Sequence, residues 1–101
     1  MPIASPRYAF NATMVSGAPA DPGVYALWEH DELIYYGHAR GDRITIQSCL
    51  QHHLARNDAC TSRVTHYGWE ISANPPVREA ELVREFERAH KRLPRCNSKS
   101  G

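Results

Sequence analysis

The chain has 101 residues, of which 42% are hydrophobic and 23% charged, with 12 Lys and Arg against 11 Asp and Glu and a formal net charge of +1. This composition excludes a disordered chain, and no apolar run approaches the ~20 residues of a membrane-spanning helix. One domain with a modest core fits the length, while a charge sum near zero is silent about nucleic acid, because a binding face depends on where charges sit.

No charged segment followed by an apolar one marks the N-terminus as a leader, so the expected location is cytoplasmic, with no membrane partner. Cys49, Cys60 and Cys96 are odd in number, widely spaced and lack a C-x-x-C pair. Neither a disulfide framework nor a zinc knuckle is expected from them.

Residues 1–22 carry Pro2, Pro6, Gly17, Pro19 and Pro22, too many breakers for a long element. They read as an arm whose Tyr8, Phe10, Met14 and Val15 can pack a short turn or strand on a core. Asp21-Pro22-Gly23 then supplies a turn. Two short runs follow, Val24 to Trp28 and Leu33 to Tyr36, rich in β-branched and aromatic residues and separated by Glu29-His30-Asp31-Glu32. This is a hairpin signal. Alternation places Val24, Ala26 and Trp28 on one face and Tyr25 and Leu27 on the other; in the second strand it groups Leu33 with Tyr35 and Ile34 with Tyr36. Neither face is polar, so both need covering helices.

After the polar loop His38 to Arg43 the spacing of Ile46, Cys49, Leu50, His53 and Leu54 predicts a helix capped by Asp42 or Thr45. Residues 63–72 alternate as a third strand, with Tyr67, Trp69 and Ile71 on one face. Asn74-Pro75-Pro76 opens a last helix through about Arg92. At ~100° per residue its apolar stripe is Leu82, Phe86, Ala89 and Leu93, with Arg84, Arg88, Lys91 and Arg95 on the opposite side. Glu79 and Glu81 suit the positive end of the helix dipole. Glu85 sits on the edge of the stripe and is the carboxylate expected to be half buried, although a boundary glutamate paired with Arg88 or Arg92 has the same appearance.

Gly23-Val24-Tyr25, a spacer of hairpin length and Tyr35-Tyr36-Gly37 together resemble the paired signature of the GIY-YIG endonuclease superfamily, with Val24 and Tyr36 at its variable middle positions. The run from Glu85 to Asn97 resembles that family's closing segment, in which a helix-borne glutamate is followed by basic residues, a proline and an asparagine. The resemblance spans residues 23–97, leaving 1–22 as an arm and 98–101 as a loose tail. It implies an α+β fold, a three-stranded antiparallel sheet flanked by helices, and metal-dependent hydrolysis of phosphodiester bonds in nucleic acid, DNA ahead of RNA.

Carried over by residue, the resemblance implies that Tyr25 and Tyr35 serve the nucleophile, Glu85 holds Mg²⁺ or Mn²⁺, and His53 lies near the phosphate. The family's helix arginine falls on Cys49. Arg40 or Arg43 in the preceding loop is therefore expected to reach the phosphate instead. His38, Arg84, Arg88, Lys91 and Arg95 are the expected nucleic-acid contacts. A catalytically impaired module that binds nucleic acid or a protein partner is the alternative, favoured by Cys49.

Overall fold

Seven elements follow one another: β1 (Tyr8–Ala9), α1 (Ala12–Val15), β2 (Gly23–Glu29), β3 (Glu32–Ala39), α2 (Ile46–Leu54), β4 (His66–Ile71) and α3 (Pro75–His90). The structure is a computed structural model that describes Ile3 and residues 5–97. The expected tail at 98–101 lies outside the described residues. The strands form one antiparallel sheet in the order β1-β4-β2-β3, and the chain is a small α+β domain.

The sheet has four strands where three were expected. The fourth is supplied by the N-terminal segment, where Tyr8 pairs with Tyr67 and Ala9 with His66. The Tyr8 and Phe10 rings lie 5.4 and 6.1 Å from the Tyr67 ring, and the Phe10 N–H donates to the Thr65 carbonyl. The short strand allowed for in this arm thus joins the sheet edge, and a strand of two residues is held there by tertiary packing.

In the hairpin, β2 pairs in register with β3 from Gly23–Ala39 to Leu27–Tyr35 and then shifts so that Trp28 faces Leu33. Ile34 is left as a bulge. Strict alternation fails there: Ile34 and Tyr35 both pack with Tyr25 and Leu27, while Leu33 and Tyr36 pack with Val24, Ala26 and Trp28. A bulge inserts one residue and so resets which face each later side chain meets.

One layer of core therefore lies between the sheet and α1 with α2, where Val15, Ile46 and Leu50 are fully buried. The other lies under α3, anchored by Leu82. Thr45 caps α2 and exchanges hydrogen bonds with Ser48 in a capping box. In α3 the paired prolines occupy the first turn, and the Arg78 guanidinium donates to both Glu70 carboxylate oxygens at 2.6 and 3.1 Å, tying α3 to β4. Lys91, at φ 63°, ends the helix in the left-handed conformation.

Cys60 and Cys96 form a disulfide across 36 residues, with their Cα atoms 5.7 Å apart. This corrects the expectation drawn from cysteine number and spacing, which reads local motifs and not where the fold returns the chain. Such bonds persist mainly in oxidising surroundings, so the cytoplasmic expectation is not supported by it. Beside the disulfide, the Asn97 side chain accepts from the Tyr36 N–H at 2.8 Å and donates to the Tyr36 carbonyl at 2.9 Å, closing the outer edge of β3. Among the described residues no helix is long and apolar enough to cross a membrane.

Candidate active site

Tyr25 on β2 faces Gly37 on β3, and its ring lies across the glycine. A Cβ at Gly37 would stand 2.4 Å from Tyr25 Cζ, 2.5 Å from Tyr25 Oη and 2.8 Å from Tyr35 Cε2. The missing side chain is what lets the two phenols meet there. Their ring centroids are 6.1 Å apart, and the His53 ring, in the last turn of α2, is 5.7 Å from each. The Tyr25 hydroxyl is 3.1 Å from His53 Nε2. These three residues, expected at the site, are brought together.

A cavity of about 350 Å³ opens beside them, lined by Tyr25, Ile44, Ser48, Cys49, His52 and His53. Cys49 and His53 share a face of α2 because they are four residues apart. Burial, with Tyr35, Cys49 and Glu79 adding to it, pushes the Tyr25 phenol well above its ordinary range. The Tyr35 phenol is raised by burial and then by Glu79. Burial lowers His53, helped by His52 and opposed by Asp58, and raises the Cys49 thiol. At neutral pH the site therefore presents protonated phenols, a thiol and a neutral imidazole.

Glu79 and Asp58 are the carboxylates whose charges act on the phenols of this site. Glu79 accepts from His38 Nδ1 at 2.7 Å, and its charge acts on both Tyr25 and Tyr35. Glu85 instead lies near Tyr36, whose phenol is raised by burial and then by Glu85. Tyr36 belongs to the layer under α3, away from the layer that holds Tyr25 and Tyr35. On a helix wheel the two glutamates flank the buried Leu82 on opposite sides, ~120° apart, so both are boundary positions. The direction of α3 decides: it runs against β3, so its first turns pass Gly37 and His38 and its middle passes Tyr36.

Arg40 and Arg43 are exposed, and neither lines the cavity where Cys49 stands. Arg43 sits at φ 64° in the turn that leads into α2, a geometry that serves the turn. His38 pairs with Glu79 at the outer edge of the sheet. Arg84 and Arg88 are exposed on α3, and Lys91 is its C-cap. Arg95 does not continue their row. The helix has ended before it, and its guanidinium is held by Glu29 and, at 3.5 Å, by Glu32.

Two further residues touch the site without having been anticipated. Thr61, 1% exposed, places Oγ1 3.4 Å from His53 Nδ1 and donates to Asp58 Oδ2 at 3.3 Å. Both lie in the irregular segment after α2, where no periodic signal marks a buried residue. Among the described residues no group of three or more His, Cys, Asp or Glu side chains could hold a metal ion.

The fold and this cleft define a small α+β domain with a Tyr-Tyr-His cluster on which the charges of Glu79 and Asp58 act. Comparison with family models, curated proteins and solved structures gives no match.

Proposed function

We propose that the chain is a GIY-YIG-like domain that binds nucleic acid, DNA ahead of RNA, and hydrolyses its phosphodiester bonds with Mg²⁺ or Mn²⁺. The observation that carries the reading is the meeting of Tyr25, Tyr35 and His53 around Gly37, with the Glu79 charge acting on both phenols. Neutral His53 accepts the Tyr25 proton at Nε2, which lets the phenol oxygen take a proton from an attacking water. The raised Tyr25 makes that transfer uphill in the free chain.

A hard divalent cation suits a single carboxylate oxygen, because Mg²⁺ keeps several waters and needs only one or two such ligands. Glu79 is the residue that would hold it. When bound, the cation supplies positive charge to the phosphate oxygens. Arg84, Arg88 and Lys91 supply a basic edge along α3 for the backbone.

The test is nicking of supercoiled plasmid in Mg²⁺ or Mn²⁺. Activity should be lost in Glu79→Gln and retained in Glu85→Gln; retention in the first variant refutes the assignment of Glu79. A second reading rests on Cys49, which lines the cavity where a guanidinium would face the phosphate. Removing one such donor costs ~10²–10³ in rate, and the chain would then be a binding module. Plasmid binding without nicking, with nicking gained in Cys49→Arg, would establish it.

A further inference from the structure

The hydrogen-bond chain behind Tyr25 has a direction, and one residue sets it. From Tyr25 Oη the contacts run to His53 Nε2 at 3.1 Å, from His53 Nδ1 to Thr61 Oγ1 at 3.4 Å, and from Thr61 Oγ1 to Asp58 Oδ2 at 3.3 Å. An ionised carboxylate only accepts, and a threonine hydroxyl has one hydrogen to give. If Thr61 gives its hydrogen to Asp58, its oxygen can only accept from His53. The imidazole hydrogen must then sit on Nδ1, leaving Nε2 as an acceptor facing the phenol.

We propose that Asp58 and Thr61 are positioning residues that fix His53 in the Nδ1–H form, so that Nε2 accepts the Tyr25 proton. This rests on the nuclease reading for its use, although the tautomer itself does not. Asp58 is well placed for the task. Its Oδ1 takes the Cys60 N–H at 3.1 Å, which leaves Oδ2 turned toward Thr61. Cys60 is joined to Cys96, so the segment that presents Thr61 is pinned to the C-terminal end of the domain.

The same arrangement stabilises the product of proton transfer. Once Nε2 is protonated, the imidazolium faces a hydroxyl backed by a carboxylate, the order in which an orienting acid supports a histidine base. A cavity of about 150 Å³ lined by His52, His53, Asn57, Asp58 and Thr61 lies on this side of the ring. Charged and titratable groups near His53 are Tyr25 from β2, Tyr35 from β3, Cys49 and His52 from its own helix, and Asp58.

Two alternatives are distinguishable from this. A hydroxyl that donated to Nδ1 would give the opposite tautomer, with Nε2–H pointing at the phenol oxygen and no base available. An Asp58 that only shaped its own turn would leave the tautomer indifferent to Thr61.

The experiment is long-range ¹H–¹⁵N correlation on uniformly labelled full-length protein at a pH where His53 is neutral, with the signals assigned by His53→Gln. Wild type should show a protonated Nδ1 and an unprotonated Nε2. Thr61→Val, close in shape, should move the population toward Nε2–H, whereas Thr61→Ser should keep the wild-type pattern. Asp58→Asn should also mix the forms, because an amide can donate as well as accept.

If plasmid nicking is observed, Thr61→Val should lower kcat about 10-fold or more with KM unchanged, since general-base steps contribute ~10²–10⁴, and Thr61→Ser should restore it. Nε2–H in wild type overturns the proposal, as does a tautomer unchanged in a folded Thr61→Val. Should Thr61→Val fail to fold, the wild-type spectrum and Asp58→Asn decide. Absence of nicking would count against the nuclease reading alone, because the tautomer is read without turnover.

Discussion

Gly37→Ala tests whether the site is built by steric permission. The new Cβ would lie 2.4 Å from Tyr25 Cζ, and ordinary contact begins at 3.4 Å, so the ring must retreat by about 1 Å. Tyr25 is 4% exposed and packed among Leu27, Ile34 and Leu50 in one core layer, so the ring can retreat only toward the cavity it lines. Overpacking of this kind costs ~1–3 kcal/mol. Displacing the phenol by 1 Å also breaks its 3.1 Å contact with His53, a hydrogen bond worth about 1 kcal/mol net. The expected loss is then ~2–4 kcal/mol, read as a lower urea midpoint at constant slope, together with shifted Tyr25 and His53 ring resonances. Any nicking activity should fall by about 10², the loss that a 1 Å misplacement can produce. A variant within about 0.5 kcal/mol of wild type, with unmoved ring resonances, would refute the claim that Gly37 admits the two phenols.

The disulfide closes a loop of 36 residues, for which the chain-entropy relation gives about 4 kcal/mol of stabilisation; denaturant unfolding with and without reductant should differ by that order, and a difference below about 1 kcal/mol would refute it. Asn97→Ala removes two hydrogen bonds from the edge of β3, which should cost ~1–3 kcal/mol at about 0.5–1.5 each, while a surface change such as Arg88→Ala should be near neutral by the same assay. His53 is lowered in the folded chain, chiefly by burial, so in the pH range between its folded value and its ordinary value near 6.5 the unfolded chain binds the extra proton. Its contribution is therefore intact above that range and is lost as pH falls through it. Stability measured across pH 7 to 5 should decline less in His53→Gln than in wild type, and equal slopes would show that His53 is not buried as described.

The sequence by itself determined the local elements, because each is encoded by nearby residues. Alternation and a turn at Asp21-Pro22-Gly23 specify β2, observed as Gly23–Glu29; helical spacing and Thr45 specify α2, observed as Ile46–Leu54; the prolines after Asn74 specify the start of α3. Tyr25, Tyr35 and His53 were expected at the site through the resemblance of Gly23-Val24-Tyr25, Tyr35-Tyr36-Gly37 and the following helix to a known family's motifs, and not through alternation, which fails at Tyr35. Tertiary structure decided what depends on how elements pass one another. The bulge at Ile34 moved it to the layer of Tyr35, β1 joined through ring packing on Tyr67, and Cys60 met Cys96 because the chain's end folds back along β3. Glu79 and Glu85 flank Leu82 on opposite sides of a helix wheel, and the antiparallel run of α3 past β3 sets one beside His38 and the other beside Tyr36. Thr61 and Asp58 reach His53 from a segment with no period at all, so their part in the site exists only once the loop is folded against α2.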